Sequence, residues 1–175
     1  KQKGAFLSAQ VSPFMMTLGG YTEDMIEKNA EAKAGLDKMF KLAKKYDVTI
    51  THGTDIFGSP DLLSEAPKEF QYRMEWFTPF EILKQATSNG AALVQLCGER
   101  NPYKGASLGV IKEGAYADLL IVDGNPLKDI TLLVEPDKNL SLIMKDNSLF
   151  RLKHAKMQPF PTILFLRMFL EKTSV

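Results

Sequence analysis

Apolar positions change their spacing along this chain, and the change divides it into a helix-rich stretch and a later strand-rich one. Gly4 to Val11 is a short apolar run interrupted by Ser12-Pro13, which predicts a buried strand. Thr22 can cap a helix, with Glu23 and Asp24 in its first turn. Leu36, Met39, Phe40 and Ala43 follow i, i+3, i+4, i+7 spacing, so a helix reaching about Tyr46 turns one face inward. Val48 to Gly53 is short, β-branched and closed by glycine, a second strand. Strand, helix, strand is the pattern of a parallel α/β sheet.

Thr54 to Pro67, with Gly58, Pro60 and Pro67, reads as a loop, and Glu69 to Phe77 as a short helix. Thr78-Pro79-Phe80-Glu81 is a strong start signal. Thr78 caps, Pro79 takes the first helical position and Glu81 completes a capping box. That helix is expected to reach about Ser88, where Asn89-Gly90 breaks it and Asn89 caps another through Leu96. Beyond Gly98, short strands are expected at Leu108–Ile111, Ala117–Val122 and Leu140–Met144. Asp146-Asn147 then turns the chain into a returning strand at Leu149–Leu152. In the tail, Pro159-Phe160-Pro161 precedes an apolar run from Thr162 to Leu170. The run is too short to span a bilayer and reads as a buried helix or an oligomer contact.

Composition narrows the function classes. The 175 residues are 45% hydrophobic, enough for a sizeable core. With 22 Lys and Arg against 21 Asp and Glu, and no basic run, no nucleic-acid partner is expected, nor a membrane surface. One cysteine, Cys97, excludes an internal disulfide and reads as a small buried apolar residue. That slightly favours the cytoplasm. The chain begins with Lys1 rather than Met, so an exported form stays open.

The chemistry converges on Asp55, just past the carboxyl end of the second predicted strand, where parallel α/β folds bind ligands. A carboxylate there can bind a metal, accept a proton or hydrogen-bond its own loop. Strand alternation sends His52 to the opposite face, into the helix layer, as a packed and hydrogen-bonded histidine. His154 has no assigned role. With two histidines and no HxH, HExxH or CxxC, the chain cannot supply a histidine-rich metal site alone.

Three segments together resemble the C-terminal third of the amidohydrolase superfamily, nearest its imidazolonepropionase-like and Xaa-Pro dipeptidase-like group. They are Gly53-Thr54-Asp55, Thr78 to Asn89, and Leu108 to Pro126 with its Gly-x-x-x-x-Gly-x-x-Ala-Asp-Leu core. The resemblance implies an α/β fold, the end of a distorted (β/α)8 TIM-like barrel plus part of a composite β-sandwich. Residues 1–98 would hold barrel strands seven and eight, and residues 99–154 the sandwich share. Residues 155–175 are a tail of unclear role. The resemblance also implies one or two divalent metals, usually zinc, with Asp55 as metal ligand and proton shuttle. The remaining ligands are absent from this chain. Asp118, though in the sharpest motif, is read as structural, while Ile56, Phe57, Gly58 and Ser59 border either a substrate or a simple loop.

The implied activity is metal-dependent hydrolysis of a C–N bond in a cyclic amide, other small-molecule amide or dipeptide, carried out by a parent protein. The chain alone is expected to be inactive. Asn147-Ser148 stands where the family usually has Asp-Gly. Two strands cannot close an eight-stranded barrel and are expected to leave parallel edges open. The alternative is a non-catalytic binding or assembly module, with the apolar tail as a contact surface between copies.

Overall fold

The computed structural model describes residues 4–16, 21–56, 60–146, 148–152 and 162–164. Strand β1, Phe6–Ser8, is followed by a single helical turn, α1, Ser12–Met15, with Pro13 near its start. Helix α2, Glu23–Lys45, carries the expected cap: the Thr22 side chain accepts from the Met25 N–H at 3.3 Å. Leu36, Phe40 and Ala43 are buried along one face, as their spacing requires. Phe40 packs against Trp76 and Phe77, with ring centroids 5.2 and 4.8 Å apart. Strand β2, Thr49–Thr51, returns parallel to β1, with Leu7 opposite Ile50.

The predicted loop after β2 contains a helical turn, α3, Pro60–Leu63. The next helix is composite: α4, Glu69–Tyr72, lies between 3-10 turns at Ala66–Lys68 and Arg73–Glu75. Helix α5, Pro79–Lys84, opens with the full capping box between Thr78 and Glu81. Asn89-Gly90 does not break the chain's helical course. A π turn, Gln85–Asn89, leads directly into α6, Gly90–Gln95, and both Asn89 and Gly90 hold helical backbone angles. Asn89 caps nothing; its Nδ2 donates to the Ile50 carbonyl at 2.8 Å instead. The Gln85 carbonyl accepts from the His52 N–H at 3.1 Å. Two backbone groups at the end of β2 are therefore satisfied by the helix rather than left open. Cys97, expected to be buried, is exposed, because it lies in the surface turn that ends α6.

Leu108–Ile111 is not a strand. Gly109 adopts φ +68°, and a Cβ built on it would lie 2.7 Å from the Thr87 carbonyl carbon and oxygen. Only glycine permits that angle and that approach together. The described strands of the second half are β3, Leu119–Val122, then β4, Leu140–Lys145, β5, Ser148–Leu152, and β6, Thr162–Leu164. A 3-10 turn at Ile130–Leu133 and a short helix, α7, Pro136–Asn139, connect β3 to β4. The four strands form an antiparallel sheet in the order β5-β4-β3-β6. The predicted hairpin between β4 and β5 is present, with Asp146 at φ +50° in its turn. Thr162–Leu164, where the apolar tail suggested a buried helix, is instead a strand paired with β3. The rest of the tail, including His154, lies outside the described residues.

One apolar cluster runs through both halves, from Val11, Phe40, Ile50, Phe70 and Ile82 to Leu120, Val122, Ile130 and Leu140. Burying each of its large side chains contributes about 1.5–3 kcal/mol. Among the described residues no helix is long and apolar enough to cross a membrane.

Candidate functional site

Because β1 and β2 are parallel, their carboxyl ends open on the same side. They converge at Gly53, where an added Cβ would stand 3.6 Å from Gln10 Nε2 and 3.8 Å from Ser8 Oγ. The chain then turns tightly. Thr54 Oγ1 accepts from the Ile56 N–H at 3.3 Å, and Asp55 sits in the left-handed region at φ +52°. Asp47 and Asp146 share that conformation in ordinary turns, so the angle alone marks only a turn. Asp55 differs in its side chain, which is exposed and has no hydrogen-bond or ion-pair partner among the described residues.

His52 faces the helix layer, as strand alternation predicts. Its ring stacks on Phe70 with centroids 4.5 Å apart. The expected hydrogen bond is missing at Nε2, which is buried without a partner among the described residues. Burial, reinforced by the nearby Arg73 charge, holds the imidazole pKa well below its usual 6.5. His52 is thus a neutral packing group and does not share the face that carries Asp55.

Behind the two strand ends lies a charged network that the sequence reading missed. Glu69 and Arg73 are both fully buried and joined by Arg73 Nε donating to Glu69 Oε1 at 2.7 Å. Glu69 also accepts from the Val11 N–H at 3.1 Å, the Ser12 N–H at 2.7 Å and Ser12 Oγ at 2.6 Å. Arg73 donates through Nη1 to Gln85 Oε1 at 2.6 Å and through Nη2 to the Ala9 carbonyl. Burial pushes the guanidinium pKa down from its ordinary value, against the pull of Glu69. The i, i+4 spacing of these residues was visible in the sequence, but it is equally the mark of a solvated surface pair.

The structure separates the other candidates. Asp118 is buried in the β-rich half and accepts from the Asp146 N–H at 2.9 Å, the structural role expected of it. Ile56 follows Asp55 directly, while Phe57, Gly58 and Ser59 lie outside the described residues. A cleft of about 390 Å³ opens at the amino end of β2, lined by Lys44, Asp47, Glu81 and Lys84 among others, and Asp55 is not in its wall. Among the described residues no three His, Cys, Asp or Glu side chains gather closely enough to hold a metal ion. Asp55 fits a metal as one open oxygen donor; the chain's described residues do not complete a site.

No family model matches the chain. Ochratoxinase from Aspergillus niger is 32% identical over 158 residues, covering 86% of this chain and 30% of that protein. The crystal structure of A. niger ochratoxinase superposes with a TM-score of 0.69 at 28% identity, over 87% of this chain and 33% of that one. A solved amidohydrolase superposes at 0.72 with 27% identity, over 88% and 36%. A prolidase complexed with N-methylphosphonate-L-proline superposes at 0.72 with 24% identity, over 87% and 36%, and supports the fold alone. The chain thus spans about a third of the length of the proteins it matches. With the ordered motifs, the sequence match and the superpositions agreeing along most of its length, this chain belongs to the amidohydrolase superfamily.

Proposed function

We propose that this chain is the C-terminal part of a metal-dependent amidohydrolase that cleaves a C–N bond in a small-molecule amide or a dipeptide. Residues 1–98 would supply the seventh and eighth strands of a (β/α)8 barrel, and residues 99–154 a share of a composite sandwich. The observation that carries the reading is the exposed, unpartnered Asp55 carboxylate at the carboxyl end of β2, in a chain that matches amidohydrolases around it.

Asp55 would be one ligand of a divalent metal, zinc by family resemblance, whose other ligands lie outside this chain. A metal bound there would supply Lewis acidity and bring the pKa of the attacking water towards neutrality. The Asp55 carboxylate would take the water's proton and return it to the departing nitrogen, acting first as general base and then as general acid. Ser8 and Gln10 stand within van der Waals reach of Gly53, beside the carboxylate's turn. The neutral His52, stacked behind the strand, adds no competing positive charge.

The decisive experiment uses the full-length protein that carries this chain. Bound metal and hydrolysis of an Xaa-Pro dipeptide and an N-acyl amino acid are measured before and after Asp55→Ala. Loss of hydrolysis, with reduced metal content, is the expected result; unchanged activity rejects the role given to Asp55. A second reading, a non-catalytic assembly module, draws on the lack of a three-ligand cluster among the described residues and on the exposed Leu149, Phe150 and Leu152 of β5. It predicts no hydrolysis in the metal-loaded full-length protein.

A further inference from the structure

We infer that Glu69 and Arg73 are a positioning pair for the hydrolytic site, fixing the turn after β1 and the end of β2 relative to each other. The inference rests on the reading of Asp55 given above and extends it to residues that do not touch substrate.

Three backbone groups in four consecutive residues, the Ala9 carbonyl and the Val11 and Ser12 N–H groups, are held by these two side chains. The remaining arm of the guanidinium reaches Gln85, whose own carbonyl holds the His52 N–H, three residues before Asp55. One planar, rigid group therefore spans from the end of one parallel strand to the end of the next. Apolar side chains of similar volume would fill the same space without desolvating two charges, but they would leave those three backbone groups unpaired. What a buried fork adds over apolar packing is direction.

The direction has a recipient. Gln10 lies between the anchored Ala9 and Val11, with its carboxamide beside Gly53. That carboxamide makes no hydrogen bond with a described residue, and Gly53, which it adjoins, is two positions before Asp55. Displacing the turn would move Gln10 against Asp55 while leaving both side chains intact.

The test again uses the full-length, metal-loaded protein with the Xaa-Pro dipeptide and the N-acyl amino acid as probes. Arg73→Lys keeps the charge and loses the fork. Gln85→Leu keeps the ion pair and cuts the link to β2. In each, kcat is expected to fall by about tenfold to a hundredfold, the usual consequence of misplacing catalytic groups by an ångström. KM, metal content and near-ultraviolet circular dichroism are expected to stay near wild type, since only transition-state placement is lost. A folded Arg73→Lys protein with wild-type kcat overturns the positioning role, as does failure of both variants to fold, which would make the network scaffold alone. A wild-type protein that hydrolyses neither probe rejects the reading of Asp55 instead.

Discussion

Two aspartates, one in each half of the molecule, show how burial assigns different work to the same side chain. Asp55 ends a parallel strand, stands exposed and has no partner among the described residues. Asp118 precedes the first strand of the antiparallel sheet, is buried and ties down the Asp146 N–H in the hairpin turn. The sharper sequence motif surrounds Asp118, yet its environment is that of a structural tie. The weaker motif surrounds Asp55, whose environment leaves its chemistry available. Motif sharpness measures how strongly a backbone constrains its residues, and a tight turn can constrain them as strongly as catalysis does.

The contrast can be broken by exchanging loss of activity for loss of stability. In the full-length protein, Asp55→Asn, which keeps a residue type that tolerates φ +52°, is expected to lower hydrolysis by on the order of 10²–10⁴, with unfolding free energy unchanged to within about 0.5 kcal/mol. Paired kinetics and denaturant titration read both quantities. Asp118→Ala is expected to behave in reverse, costing about 1 kcal/mol by removing the buried carboxylate that holds the hairpin turn, while turnover per folded molecule stays constant. Equal loss of turnover in the two variants would erase the distinction. Thr78→Ala, which removes the cap of α5, is expected to cost about 1 kcal/mol by thermal melting.

Acid titration sharpens the same comparison. His52 has a folded-state pKa held below 6.5 by burial first and by Arg73 second, so the folded chain binds fewer protons there than the unfolded one. Its contribution is complete above pH 6.5 and is lost as pH falls through the lowered folded value. Melting temperatures taken between pH 8 and pH 5 are expected to fall more gently for His52→Phe than for the wild type. An identical slope in both would show that the imidazole is not strained by its surroundings.

Legibility in the sequence tracked how local each cause was. The Thr22 cap, the Thr78–Glu81 capping box and the inward face of α2 all arise within a few residues, and each was readable in advance. The parallel pairing of β1 and β2 followed from the strand–helix–strand order. The place of Asp55 at a strand end was visible too. Asn89 misled because its amide is claimed by the Ile50 carbonyl, 39 positions away, in preference to a local cap. The Glu69–Arg73 network was hidden for a similar reason. Its i, i+4 spacing is local, but the partners that draw it inside, donors at Val11 and Ser12 and acceptors at Ala9 and Gln85, are remote in sequence. Cys97 misled because residue type says little about a turn that happens to lie at the surface.

Gly109 adds a consequence for how the two halves could diverge. Where its side chain would be, the Thr87 peptide already occupies the space. The seam between the helix-rich half and the strand-rich half therefore closes to direct backbone contact at one point. A methyl group there would act as a wedge between residues 108–110 and the π turn, Gln85–Asn89. Either half can change its exposed residues freely, but at this point of approach the chain has nothing to trim.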